Sequence, residues 1–129
     1  MIVDSSAIIA ILMREPESER FELALDAASR RAMSAATFVE LVNVIDRKAG
    51  ADLLPIAEDH MAVAKIELVP FTIEQMQWAR HARLSYGVGR HPANLNFGDC
   101  FAYALAKSTG EPLLYKGNDF AHTDITSAI

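Results

Sequence analysis

"MIVDSSAIIAILMRE", residues 1–15, changes character twice within a few positions. Ile2-Val3 is an apolar dipeptide of strand type, and Asp4 closes it. Ser5 or Ser6 then caps a helix that runs to about Arg14, before Glu15-Pro16 breaks the pattern. A strand this short and this apolar belongs in the middle of a sheet, covered on both faces. The run Ala7 to Met13 is too short to span a bilayer and follows no basic leader, so it reads as a buried helix.

Working outward, the same alternation recurs. Glu17 to about Ser29 carries Phe21, Ala24, Leu25 and Ala28 at helical spacing, and Arg31 to Ser34 is a short strand. Thr37 opens a helix that Gly50 ends near Ala49, and Pro55 sits in the first turn of another that reaches about Lys65. Ile66 to Phe71 (IELVPF) is a strand, and Thr72 caps a helix from Ile73 to about Tyr86. A loop rich in Gly, Pro and Asn follows, from Gly87 to Gly98. An apolar helix then stops at Gly110, Pro112 to Tyr115 is a strand, Lys116 to Asp119 a turn, and Asp124-Ile125 a last edge strand. Short strands alternating with helices predict an α/β fold around a parallel sheet. The 129 residues fit a single domain, 1–129, with one core and no repeat or linker.

Composition narrows the function classes. The hydrophobic fraction of 51% suits a globular chain, and Cys100, the only cysteine, excludes an internal disulfide. Both fit a soluble, cytoplasmic protein with no membrane segment. Twelve basic residues against 17 acidic ones give a net charge of −5. Affinity for a phosphate backbone is largely electrostatic, so a nucleic-acid role requires a local basic patch or bound cations. Some of the carboxylate excess would then belong to a metal site.

Ligands of parallel α/β sheets sit beyond the carboxyl ends of the strands, and four acids map there. Asp4 ends the first strand. Glu40, in TFVELVNVIDRK, shares a polar wedge with Asn43 and Arg47, opposite Phe38, Leu41, Val42 and Ile45. Asp99 opens the apolar helix at Gly98-Asp99, and Asp119 follows PLLY through the turn KGND. Each has an ordinary explanation taken singly: a helix cap, a solvated face, a helix dipole and an Asx turn. Together they repel one another, and a hard divalent cation with oxygen ligands is the usual remedy. Such a site activates water and neutralises charge on a phosphodiester. His60, His81 and His122 lack partners at metal-ligand spacing, and nothing around Cys100 suggests a nucleophile.

The segments "MIVDSSAIIAIL", "SAATFVEL" and "LNFGDCFAYALAKSTGEPLLYKGNDFAHTDI" resemble the PIN-domain family. More narrowly, they are similar to the VapC-type toxins of bacterial toxin–antitoxin pairs. GDCFAYALAK and LLYKGNDF are the most specific parts. The resemblance implies a three-layer α/β/α sandwich with a mostly parallel central sheet, and an endoribonuclease dependent on Mg²⁺ or Mn²⁺. It places the family's acidic quartet on Asp4, Glu40, Asp99 and Asp119, leaving the fourth position open between Asp119 and Asp124. It implies that Asp4, Asp99 and Asp119 hold the metal while Glu40 positions or deprotonates the attacking water. Ser6 is then a polar neighbour of Asp4, Arg90 and Lys116 rim the site to contact RNA phosphate, and Tyr86 or His91 stacks a base. The resemblance further implies a VapB-type antitoxin seated in a groove of the early helices, and a homodimer.

Rival readings are a haloacid-dehalogenase-like phosphatase, a receiver domain and a PIN-like module that binds without catalysis. The first needs an aspartate two residues after Asp4, where Ser6 stands. The second needs an N-terminal acid pair, and the third has no use for all four acids.

Overall fold

A computed structural model describes residues 1–129. Four parallel strands form one sheet in the order β3-β2-β1-β4, with β1 Ile2–Val3, β2 Arg31–Ser34, β3 Ile66–Val69 and β4 Leu113–Leu114. Ile2 stands opposite both Ala32 and Leu113, so the N-terminal dipeptide is central, as its composition demands. Six helices complete the chain: α1 Ser5–Leu12, α2 Ser18–Ala27, α3 Ala35–Ala49, α4 Leu54–Val63, α5 Ile73–Tyr86 and α6 Asp99–Thr109.

The period of two along each strand divides the core into two layers. Val3, Met33 and Leu114 face one side, with Ile8, Phe21, Leu25, Leu41 and Met61 of α1 to α4. Ile2, Ala32 and Leu113 face the other, with Ala82 of α5 and Ala102, Tyr103 and Leu105 of α6. The molecule is therefore the expected α/β/α sandwich, its sheet wholly parallel.

Several boundaries differ from the sequence reading; β3, for one, stops at Val69 and not at Phe71, before Pro70, which cannot donate to the ladder. The third helix begins at Ala35, not at Thr37, because Ser34 ends β2 in extended backbone and its Oγ accepts the Ala36 N–H at 3.2 Å. Asp124-Ile125 is not an edge strand. The pairing falls two residues later, where Leu113 N–H donates to Thr126 O and Ala128 N–H donates to Leu113 O, each at 2.9 Å. Asp124 is drawn away from the sheet edge by Tyr103 and Lys107, described below.

Candidate active site

A cavity of about 390 Å³ opens beyond the carboxyl ends of β1, β2 and β4, and Asp4, Glu40, Asp99 and Asp119 all line it. The four are far apart in the chain, and each arrives by a different local device.

Asp4 is the N-cap of α1. Its Oδ2 accepts the Ser6 backbone N–H at 3.0 Å and the Ser6 hydroxyl at 2.5 Å. Its other oxygen, Oδ1, is buried and has no hydrogen-bond partner. The carboxylate thus caps with one oxygen and leaves the second for a ligand. Ser6 Oγ also accepts the Lys116 N–H at 3.0 Å, which ties the turn after β4 to the start of α1. Ser6 therefore orients Asp4.

Glu40, in the second turn of α3, is held by the Ser5 hydroxyl, which donates to Oε2 at 3.1 Å. Its carboxylate lies directly against the α-carbon of Gly98, where any Cβ would overlap it.

Asp99 joins a reciprocal cap. Asn96 N–H donates to Asp99 Oδ2 at 2.7 Å, and Asp99 N–H donates to Asn96 Oδ1 at 3.0 Å. This is a capping box with aspartate as its acidic member, and it explains why a carboxylate opens an otherwise apolar helix. Asp119 is exposed at the end of the turn after β4.

Asp124, the rival for the fourth position, is engaged elsewhere: Tyr103 Oη donates to its Oδ1 at 2.8 Å and Lys107 Nζ to its Oδ2 at 2.9 Å. Asp124→Ala is expected to lower thermal stability, because it leaves the fully buried Tyr103 hydroxyl unpaired at a cost of about 1–3 kcal/mol. A melting curve checks this.

Burial governs the electrostatics. It raises the Asp4 carboxyl above the usual carboxylate range, against the lowering effect of its bonds from Ser6. Burial, then the negative charge of Asp4, pushes Glu40 up to about 7 and Asp99 up to about 7. Carboxylates forced to hold protons near neutrality favour any cation that can take the protons' place. Asp4, Asp99 and Asp119, the acids expected to share an ion, all line this pocket, though no three acidic, histidine or cysteine side chains are drawn close enough to hold one ion together. Asp4, Glu40 and Asp99 each commit one oxygen to a positioning hydrogen bond, and Asp119 stands at the exposed rim.

The basic side chains also depart from expectation in part. Arg47, Lys48 and Lys116 line the cavity. Lys116 pairs with Glu15 at 2.6 Å and Glu17 at 3.5 Å. Arg90 does not line it. The loop folds back along α5, with Leu95 N–H donating to Tyr86 O at 2.9 Å and Val88 N–H to Leu95 O at 3.1 Å, which leaves Arg90 exposed. Tyr86 and His91 pack edge-on against each other at 5.1 Å, and Tyr86 meets Tyr103 at 5.8 Å. Those rings are used in packing and do not rim the cavity.

Sequence reasoning missed Ser5 and Asn96. The pattern Asn-x-x-Asp at positions 96 and 99 was a readable signal for the second. No local signal could join Ser5 to Glu40, 35 residues away.

A parallel α/β sandwich with acids gathered at the carboxyl edge of its sheet defines the class, and residues 1–125 match the family model of the PIN domain: the chain belongs to the PIN-domain family. Curated relatives narrow this further. The chain is 45% identical over 127 residues to ribonuclease VapC30 of Mycobacterium tuberculosis, covering 98% of this chain and 97% of that one. It is 42% identical over 127 residues to ribonuclease VapC of Mycolicibacterium smegmatis, covering 98% of each. At that identity and coverage it falls among the VapC ribonucleases. Solved structures share the fold. VapC20 of M. tuberculosis, described as a toxin that cleaves the sarcin–ricin loop, superposes with a TM-score of 0.77 at 13% identity, over 97% of this chain and 95% of that one. A toxin–antitoxin complex from Klebsiella pneumoniae gives 0.68 at 17% identity, over 99% and 97%.

Proposed function

We propose that the protein is a metal-dependent endoribonuclease, the toxin of a VapBC-type pair, which hydrolyses RNA phosphodiester bonds in the cytoplasm. The observation that carries this reading is that Asp4, whose buried Oδ1 has no hydrogen-bond partner, lines one pocket with Glu40, Asp99 and Asp119. The all-oxygen donor set fits Mg²⁺ or Mn²⁺, which commonly takes one or two direct carboxylates and fills its shell with water. Asp4 and Asp99 would hold the ion, with Asp119 at the rim bonding to its waters. When bound, the ion neutralises charge on the phosphoryl oxygens and acidifies water.

The remaining chemistry belongs to the chain. Ser5 and the bare α-carbon of Gly98 fix the Glu40 carboxylate in place. Raised to about 7, Glu40 is matched to accept a proton from water at neutral pH. The water oxygen bonds to phosphorus as the bond to the 3′ oxygen breaks in line. The 3′ oxygen takes a proton from solvent and leaves as a hydroxyl, and the phosphate stays on the 5′ side. Arg47 and Lys48 offset the chain's acidity where RNA would approach. The family resemblance and the names of the relatives support a VapB-type antitoxin as partner, and the resemblance supports a homodimer.

Purified protein should cleave RNA with Mg²⁺ or Mn²⁺ and stop on addition of EDTA, with activity restored by excess metal. Cleavage that persists in EDTA would overturn the metal requirement, and no cleavage under any condition would favour a binding-only module. Ser6→Ala should reduce the rate about tenfold, since it frees both Asp4 and the Lys116 turn, and should cost about 1–2 kcal/mol of stability. Rate and melting temperature measured on one preparation test the two effects together.

A further inference from the structure

Between α3 and the turn leading into α6, a second cavity adjoins the carboxylate pocket and shares Glu40, Val44, Arg47 and Asn96 with it. One wall is formed by Phe97 and Phe101, two of a row of three aromatic rings. Phe71 stands edge-on to Phe101 at 5.1 Å, and Phe101 edge-on to Phe97 at 5.0 Å. Phe97 ends the row and is 78% exposed. Its backbone is not free to turn inward, because the reciprocal bonds between Asn96 and Asp99 clamp the turn on either side of it. The fold thus holds a large apolar ring in water, two residues from a site carboxylate. Across the cavity, the Arg47 guanidinium is exposed and makes no salt bridge, and Asn43 and Asn96 add amide donors and acceptors.

We propose that this cavity receives a nucleotide of single-stranded RNA adjoining the cleaved linkage, with its base stacked on Phe97 and its phosphate drawn to Arg47. The inference rests on the nuclease reading and extends it to a subsite. An exposed aromatic face beside a guanidinium matches both halves of a nucleotide. Continuity with the carboxylate pocket puts a base there when its neighbouring phosphate lies at Asp4 and Asp99. A second copy of the chain is the less suitable occupant. Glu40 lines the cavity between Asn43 and Asn96, whereas acidic side chains are depleted at the centre of a protein–protein interface.

The test uses the Asp99→Asn protein, so that RNA is bound and not cut, and a labelled single-stranded oligoribonucleotide of about eight nucleotides. Phe97→Ala should weaken binding about tenfold, while Phe97→Trp retains it. In a Trp78→Phe background, the emission of the introduced tryptophan should be quenched by RNA carrying bases and not by an abasic strand. Arg47→Ala should weaken binding and lower the slope of affinity against salt by about one. Equal affinity of the Phe97→Ala protein would overturn the proposal. So would weaker binding accompanied by a change of mass in light scattering, which would assign Phe97 to a contact between copies. If the parent protein binds no RNA and the wild type cuts none, the nuclease reading itself falls and the subsite falls with it.

Discussion

Replacing Asp99 with asparagine should abolish RNA cleavage, by on the order of a thousandfold, and at the same time make the metal-free protein harder to melt at pH 8. The two effects share one cause. Asp99 is only 8% exposed, and burial and the Asp4 charge hold its carboxyl up near 7. In an unfolded chain the same group titrates near 4. Between these values the folded protein binds more protons than the unfolded chain, so its stability falls as pH rises from about 4 to about 7, then levels off. Glu40, also raised to about 7, adds to the same window. Asparagine removes the charge while its carbonyl oxygen can still accept the Asn96 N–H, so the helix cap survives. The gain above pH 7 should be about 2 kcal/mol, or about 5 °C in melting temperature, and should vanish near pH 4.

The same measurement tests the metal without recourse to activity. Mg²⁺ should raise the melting temperature of the wild type at pH 8, because ligands that bind only the folded state stabilise it by mass action. It should do little for Asp99→Asn. A variant that melts like wild type across the whole pH range, or that gains as much from Mg²⁺, would contradict the account of the pocket.

What the sequence disclosed about this pocket, and what it concealed, follows the range of the interactions concerned. Ile2-Val3 read as central because a short, wholly apolar strand suits a place covered on both faces, and α/β topology then put Asp4 at the ligand edge. Likewise, Gly and Pro punctuation placed the strand and turn that carry Asp119. These are local signals read through a general rule of sheet architecture. The engagement of Asp124 away from the pocket was not local. It depends on Tyr103 reaching from α6 to take Asp124, an interaction across 21 residues that no periodicity announces. Ser5 to Glu40 is the same kind of fact. Arg90 was misplaced for a related reason: proximity in sequence to Asp99 suggested proximity in space, yet the backbone pairing of Tyr86 and Val88 with Leu95 folds that loop along α5. The glycine before Asp99 was visible from the start, but its meaning was not, because the group that needs the missing side chain sits on α3.

Gly98→Ala converts that last point into a prediction with an unusual signature: activity should fall about a hundredfold while stability changes by no more than about 1 kcal/mol. Gly98 adopts φ −64° and ψ −43°, right-handed helical backbone that alanine accepts without strain. The three atoms nearest the added methyl all belong to the Glu40 carboxylate, the far end of a flexible side chain, so the fold can yield by turning that side chain aside. Turning it aside breaks the bond from Ser5 and removes the proton acceptor from its post. A double-mutant cycle separates this from diffuse damage. If Gly98→Ala acts through Glu40, then adding it to Glu40→Gln should cost little further activity, since the group it displaces is already disabled. Full additivity of the two substitutions, or a Gly98→Ala protein with wild-type rate, would show that Glu40 does not depend on the bare α-carbon. The pH profile of stability gives a second reading. In the metal-free protein, the part of the stability loss between about pH 4 and pH 7 that Glu40 contributes should shrink in Gly98→Ala, because the displaced carboxyl is no longer buried.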